Sequence, residues 1–131
     1  MRYLVLVTLL AVPAEAQNVD LVAEGAALFG DHCASCHGVG ARGDGPMEAV
    51  LSVDVPDLTG LAARDGGFRM FDVVAKIDGR DPLISHGGAM PVWGPVFDGV
   101  QSAFVRTDAG QPIVTSEGIA ALATWLESVQ E

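Results

Sequence analysis

The sequence predicts an all-α fold, a small helical domain whose long loops wrap around something the chain itself does not supply. Three observations carry that reading. Apolar residues recur at helical spacing in three separate segments, with no internal repeat and no run that alternates convincingly as a strand. Residues 38–56 and 80–115 carry little regular pattern, too much loop for so small a domain to leave unsupported. Aromatic residues make up only 6% of the 131, so the core is aliphatic or is completed from outside the sequence. The length suits one domain with a single core, and a hydrophobic content of 50% excludes a disordered chain. A net charge of −10, one lysine (Lys76) and scattered arginines exclude nucleic-acid binding, which needs a basic patch to displace counterions.

Residues 1–16 read as a secretory signal peptide. Met1-Arg2 supplies the positive head, Tyr3 to Val12 an apolar stretch, and Pro13-Ala14-Glu15-Ala16 an A-x-A ending. A membrane span needs about 20 apolar residues, so export with cleavage after Ala16 is expected. That leaves residues 17–131 as one periplasmic domain without a stable membrane span. Loss of Arg2 and Glu15 leaves the net charge unchanged.

Asp20 opens the first helix, with Val22, Ala26 and Phe29 on one stripe and Leu21, Gly25 and Leu28 beside it. A short helix covers Met47 to Leu51. Pro56 biases Val55 away from helix, so Val55-Pro56-Asp57-Leu58 is extended or turned. Thr59 caps a short helix through Arg64, which Gly66-Gly67 ends. Met70, Val73, Val74 and Ile77 form a further helical face stopped by Gly79. Arg80 to Pro112 reads as irregular. Thr115 or Ser116 caps a final helix with Ile119, Leu122, Trp125, Leu126 and Val129 on its apolar face.

The only two cysteines lie in Cys33-Ala34-Ser35-Cys36-His37, the C-x-x-C-H attachment signal for c-type haem. Two thiols one helical turn apart can each add to one vinyl group of the porphyrin. The next residue, His37, then offers an imidazole to the iron. One covalent haem c, with its iron, is expected per chain, and export agrees with that. A redox disulfide of the thioredoxin kind would want a βαβ context, which is absent. Zinc needs four ligands, and only His32 and His86 remain to complete a set. A structural disulfide is the remaining use of the pair. Gly38 to Gly43 spells G-x-G-x-x-G, but it leads into Asp44-Gly45-Pro46 instead of joining a strand to a helix, so it is no dinucleotide site.

For the second axial position the chain after Ala16 offers Met47, Met70, Met90 and His86. Met70 falls on a helical apolar face and reads as core. Met47 is within chain reach. Met90 follows Gly87-Gly88 and is fixed by Pro91, which suits end-on presentation. His86 is the other good ligand type; otherwise it and His32 read as solvated loop histidines. Trp93 sits near a haem propionate or in the core.

Together these residues resemble a class I c-type cytochrome, of the bacterial periplasmic monohaem kind, over essentially residues 17–131. Gly25-Ala26-Ala27-Leu28-Phe29 resembles the family's first helix, whose glycine and aromatic permit close crossing with the terminal helix, where Trp125 is the matching aromatic. Pro56-Asp57-Leu58 resembles the loop whose proline carbonyl accepts from the proximal histidine and whose leucine packs on the porphyrin. Met90-Pro91-Val92-Trp93-Gly94 resembles the distal loop, which implies Met90 as the second iron ligand beside His37. Asp98 to Pro112 has no counterpart in that pattern. The resemblance implies a cytochrome c-like helical domain and a cofactor-binding set of Cys33, Cys36, His37, Pro56, Leu58, Met90 and Trp93. The expected function is a soluble periplasmic electron carrier, or the haem subunit of a larger oxidoreductase, and not itself an enzyme. The alternative is a haem enzyme or a gas or redox sensor with a labile distal ligand. The acidic balance implies redox partner proteins with a basic docking surface.

Overall fold

The computed structural model describes residues 14–80, 88–99 and 102–131. Along the chain these form α1 (Ala14–His32), α2 (Ala34–His37), a 3-10 turn (Glu48–Val50), α3 (Leu61–Asp65), α4 (Met70–Asp78), α5 (Gly94–Phe97), β1 (Ser102–Arg106), β2 (Pro112–Ser116) and α6 (Glu117–Ser128). The fold is mostly helical, as the periodicity predicts. The 3-10 turn stands where a short helix over Met47 to Leu51 was expected.

Helix α6 is the centre of the domain because it is apolar almost all round, the pattern of a helix buried on every side. Ile119, Ala120, Ala121, Leu122, Ala123 and Leu126 are all buried. Ser116 caps it, accepting from the Ile119 N–H at 3.4 Å, while Thr115 belongs to β2. Helix α1 packs along α6 more extensively than any other pair of helices. The small residues on α6 let backbones approach. At Gly25, a Cβ would meet the Ala121 carbonyl group and stand 2.7 Å from Cβ of Trp125. Phe29 then stacks on Trp125 with ring centroids 4.4 Å apart. Helix α4 lays Met70, Val74 and Ile77 against the other side of the same core, so Met70 is core, as its spacing indicates. It stops at Gly79, which adopts φ 71°.

The sequence reading missed a hairpin and the start of α1, and the stretch from Arg80 to Pro112 that it left irregular also contains α5. Residues 102–116 form an antiparallel hairpin with Phe104 opposite Val114 and Val105 opposite Ile113. It escaped the pattern because the central pair of its outward face is apolar as well: Phe104 is 72% exposed and Val114 60% exposed, while Val105 is buried. Without polar–apolar alternation the period-2 signal disappears. The hairpin turns at Thr107, whose hydroxyl bonds both the carbonyl and the N–H of Gln111, and Gly110 takes φ 78°. The second correction is the start of α1, at Ala14 and not Asp20. Ala14-Glu15-Ala16-Gln17 is built of strong helix formers, so the helix propagates through it.

Two glycines of α1 separate packing from propensity. Gly25→Ala forces a methyl into the Ala121 backbone, and we expect a loss of about 2 kcal/mol or more in denaturant unfolding, the range for overpacked cores. At Gly30 an added Cβ meets nothing within 4 Å. Gly30→Ala is therefore expected to stabilise by up to about 1 kcal/mol through helix propensity alone.

Candidate functional site

The end of α1 delivers the C-x-x-C-H segment almost without interruption. The Cys33 N–H donates to the Phe29 carbonyl at 2.9 Å, and the His37 N–H to the Cys33 carbonyl at 2.9 Å. Cys33, Cys36 and His37 therefore share one helical turn, each half-buried, and both cysteines are free thiols. Burial, and then the neighbouring Cys36, push the Cys33 thiol up to about 11. Among the described residues no group of three or more His, Cys, Asp or Glu side chains is arranged to hold a metal ion.

His37 sits 6.3 Å from Phe29, centroid to centroid. Burial lowers its pKa, and the Pro56 backbone acts as the smaller, opposing influence. Its Nδ1 is buried and makes no hydrogen bond of full geometry, so Pro56 is close enough to act on the ring without closing a standard bond. A neutral, oriented imidazole is the form a metal ligand requires.

The 55–59 segment passes close to this turn because of Gly43, whose φ of 81° and missing side chain leave room for the Val55 and Pro56 backbone. The Gly43 N–H donates to the His37 carbonyl at 2.8 Å. The Leu58 N–H donates to the carbonyl of Ala41 at 2.8 Å; Ala41 is fully buried in a left-handed conformation. Half-buried Leu58, Cys33, Met90 and Trp93 pack against one and the same core. Thr59 does not cap α3, whose N-cap is Gly60. Instead its N–H and hydroxyl both donate to Asp57 Oδ1, at 2.8 and 2.6 Å, which tightens the loop and holds the Asp57 carboxyl below its ordinary range.

Met90 is half-buried, and the Trp93 N–H donates to the Ile77 carbonyl at 3.2 Å. Trp93 packs edge-on to His32 at 5.4 Å and lies 5.9 Å from Phe97. His32 is thus an aromatic-packed residue at the end of α1, not a solvated loop histidine. His86 lies outside the described residues. Met47 is 43% exposed. Arg80, which no motif singled out, joins Asp78 through two bonds of 2.8 and 2.7 Å and reaches Asp98 at 2.9 Å. A Cβ at Gly94 would stand 2.6 Å from Arg80 Nε, so the bare glycine lets α5 settle on this cluster. A groove of about 300 Å³ between α1, α5 and α6 is lined by Leu28, Phe97, Glu24 and Glu117 among others, and touches neither thiol nor His37.

Two free thiols and a half-buried imidazole on one turn, with a thioether side chain packed on the same core, fit an iron porphyrin held by covalent bonds. The family model described as Cytochrome c matches residues 22–130. No solved structure matches the chain.

Arg80 holds the Asp78 carboxyl below its ordinary value. A lowered folded pKa means stability that is fully present above about pH 4 and is lost as pH falls through the folded value. We expect Asp78→Asn to lower the thermal midpoint near neutral pH. The gap to the wild type should close as acid protonates Asp78, as followed by thermal melts across the pH range.

Proposed function

The chain belongs to the cytochrome c family, and on that premise we propose that it is an exported monohaem electron carrier, or the haem subunit of a larger oxidoreductase. The family carries covalent haem c with its iron and performs haem-based electron transfer. When bound, the haem supplies a one-electron couple at its iron. Cys33 and Cys36 would hold it through thioethers, and His37 and Met90 would be the iron's two protein ligands. Pro56 would face the imidazole, Leu58 would lie against the porphyrin, and Trp93 would support the loop that carries Met90. With His37 and Met90 both on the iron, oxygen and peroxide would be kept from it, and methionine beside histidine would raise the potential. The observation that carries this reading is the single turn bearing two free thiols and a half-buried imidazole whose Nδ1 is buried. The signal-peptide pattern of residues 1–16 supports export, and the periplasm is the compartment we assign.

Protein purified from a host that attaches haem should keep its colour through acid–acetone extraction and weigh one haem more than the polypeptide. Colour lost to the solvent would refute covalent attachment. The oxidised protein should also show the weak far-red band of sulfur-to-iron charge transfer. Met90→Ala should remove that band and lower the potential, and an unchanged spectrum would overturn Met90 as ligand.

The net charge of −10 favours partners with a basic docking surface. Stopped-flow electron transfer to a basic small redox protein should slow steeply as salt approaches physiological strength, where the screening length is about 8 Å. A flat salt dependence would leave the acidic surface a role in solubility alone.

A further inference from the structure

The groove between α1, α5 and α6 takes no part in the site described above, yet its lining has a definite chemistry. Leu28, Val96 and Phe97 give it apolar walls, and Gly118 keeps it open: a Cβ there would stand 3.0 Å from Phe97 and 3.6 Å from Leu28. Val96 is 57% exposed, an apolar side chain left to water. Each segment that lines the groove also brings a carboxylate. Glu24 lies one turn before Leu28 on α1, Asp98 directly follows Phe97, and Glu117 opens α6. Among the described residues no base lines it. Arg80 meets Asp98, but the ion pairs of the described residues, made by Arg42, Arg69 and Arg80, leave out both Glu24 and Glu117.

Apolar walls bordered by carboxylates complement a lysine or arginine side chain, whose methylene stem takes apolar contact and whose head takes the charge. A volume of about 300 Å³ holds such side chains and is at the low end for a pocket that encloses a free ligand. The groove also adjoins the thiol-bearing turn. Phe97 packs edge-on to His32 with centroids 5.4 Å apart, and His32 is the residue before Cys33. Resting on the haem reading above, we propose that this groove is the docking site of a basic redox partner, which sets lysine or arginine side chains against Glu24 and Glu117. A partner seated there is one ring contact away from the start of the C-x-x-C-H turn.

The double variant Glu24→Gln, Glu117→Gln removes both charges at constant shape. Its control, Asp65→Asn with Asp108→Asn, takes the same charge from exposed positions outside the groove. Electron transfer from the haem-bearing protein to a lysine-rich small redox protein is followed by stopped flow at low salt. The groove variant should slow the bimolecular rate by about tenfold, the lower end of what steering supplies, and flatten its salt dependence. The control should keep most of both. Val96→Asn leaves the charge alone and should slow the reaction at every salt concentration. The same partner should shift the backbone amides of Leu28 and Gly118 in a nuclear magnetic resonance titration. Equal slowing by the two double variants assigns the effect to the field of the whole protein and overturns the inference while leaving the haem reading intact. Amide shifts produced as fully by butylammonium, or by concentrating the protein alone, assign the groove to a small cation or a second copy and overturn it too. A wild-type protein without covalent haem overturns both.

Discussion

The close crossing of α1 and α6 is the contact on which everything else in the domain depends. It exists because Gly25 has no side chain and Ala121 has only a methyl, so two backbones can touch where larger residues would hold them apart. Phe29 and Trp125 then lock the register along the crossing. Since the C-x-x-C-H turn follows α1 within hydrogen-bonding continuity, that register also decides where both thiols and the imidazole stand. Phe29 touches both sides of this relation, stacking on Trp125 and facing His37. A site of this kind gains its precision from a helix pair, and the loops inherit it.

The loops are attached mainly by backbone hydrogen bonds and by one amide side chain, not by charge. The Arg42–Glu131 ion pair has side chains 50% and 62% exposed, a setting in which such pairs contribute about 0–1 kcal/mol. By contrast, the bonds from Leu58 to Ala41 and from Gln130 to Leu58 involve groups that are partly buried, where an unmade bond costs about 1–3 kcal/mol. The acidic balance of the surface therefore acts at a distance, on approach and solubility, while the geometry around His37 is set by neutral contacts.

Much of this was legible in the amino-acid order. The helical stripes of α4 and α6, the glycine stops and the C-x-x-C-H turn are local patterns, and each is found where its residues indicate. The hairpin was not legible, because Phe104 and Val114 present apolar side chains to solvent and erase the alternation that marks a strand. Thr59 carries the signature of a helix cap, yet the nearby Asp57 carboxylate competes for its N–H and hydroxyl and wins. Nothing local marks His32 as a partner of Trp93 and Phe97, or Gln130 as a clasp on a loop far back in the chain. Those roles depend on which segments tertiary packing brings together, and single-residue patterns hold no record of that.

The pairing of α1 with α6 has a kinetic side. The two helices that fit most tightly enclose nearly the whole of the intervening sequence, so closing the domain means closing a very long loop, and contacts of that separation make folding slow. Helix α6 is also the last element of the domain to be synthesised, and until it arrives Gly25 and Phe29 have no surface to meet. The thiol-bearing turn therefore stays on an open, unfinished chain throughout synthesis. That interval, before the final helix closes over α1, is when the two cysteines are most accessible to whatever machinery modifies them.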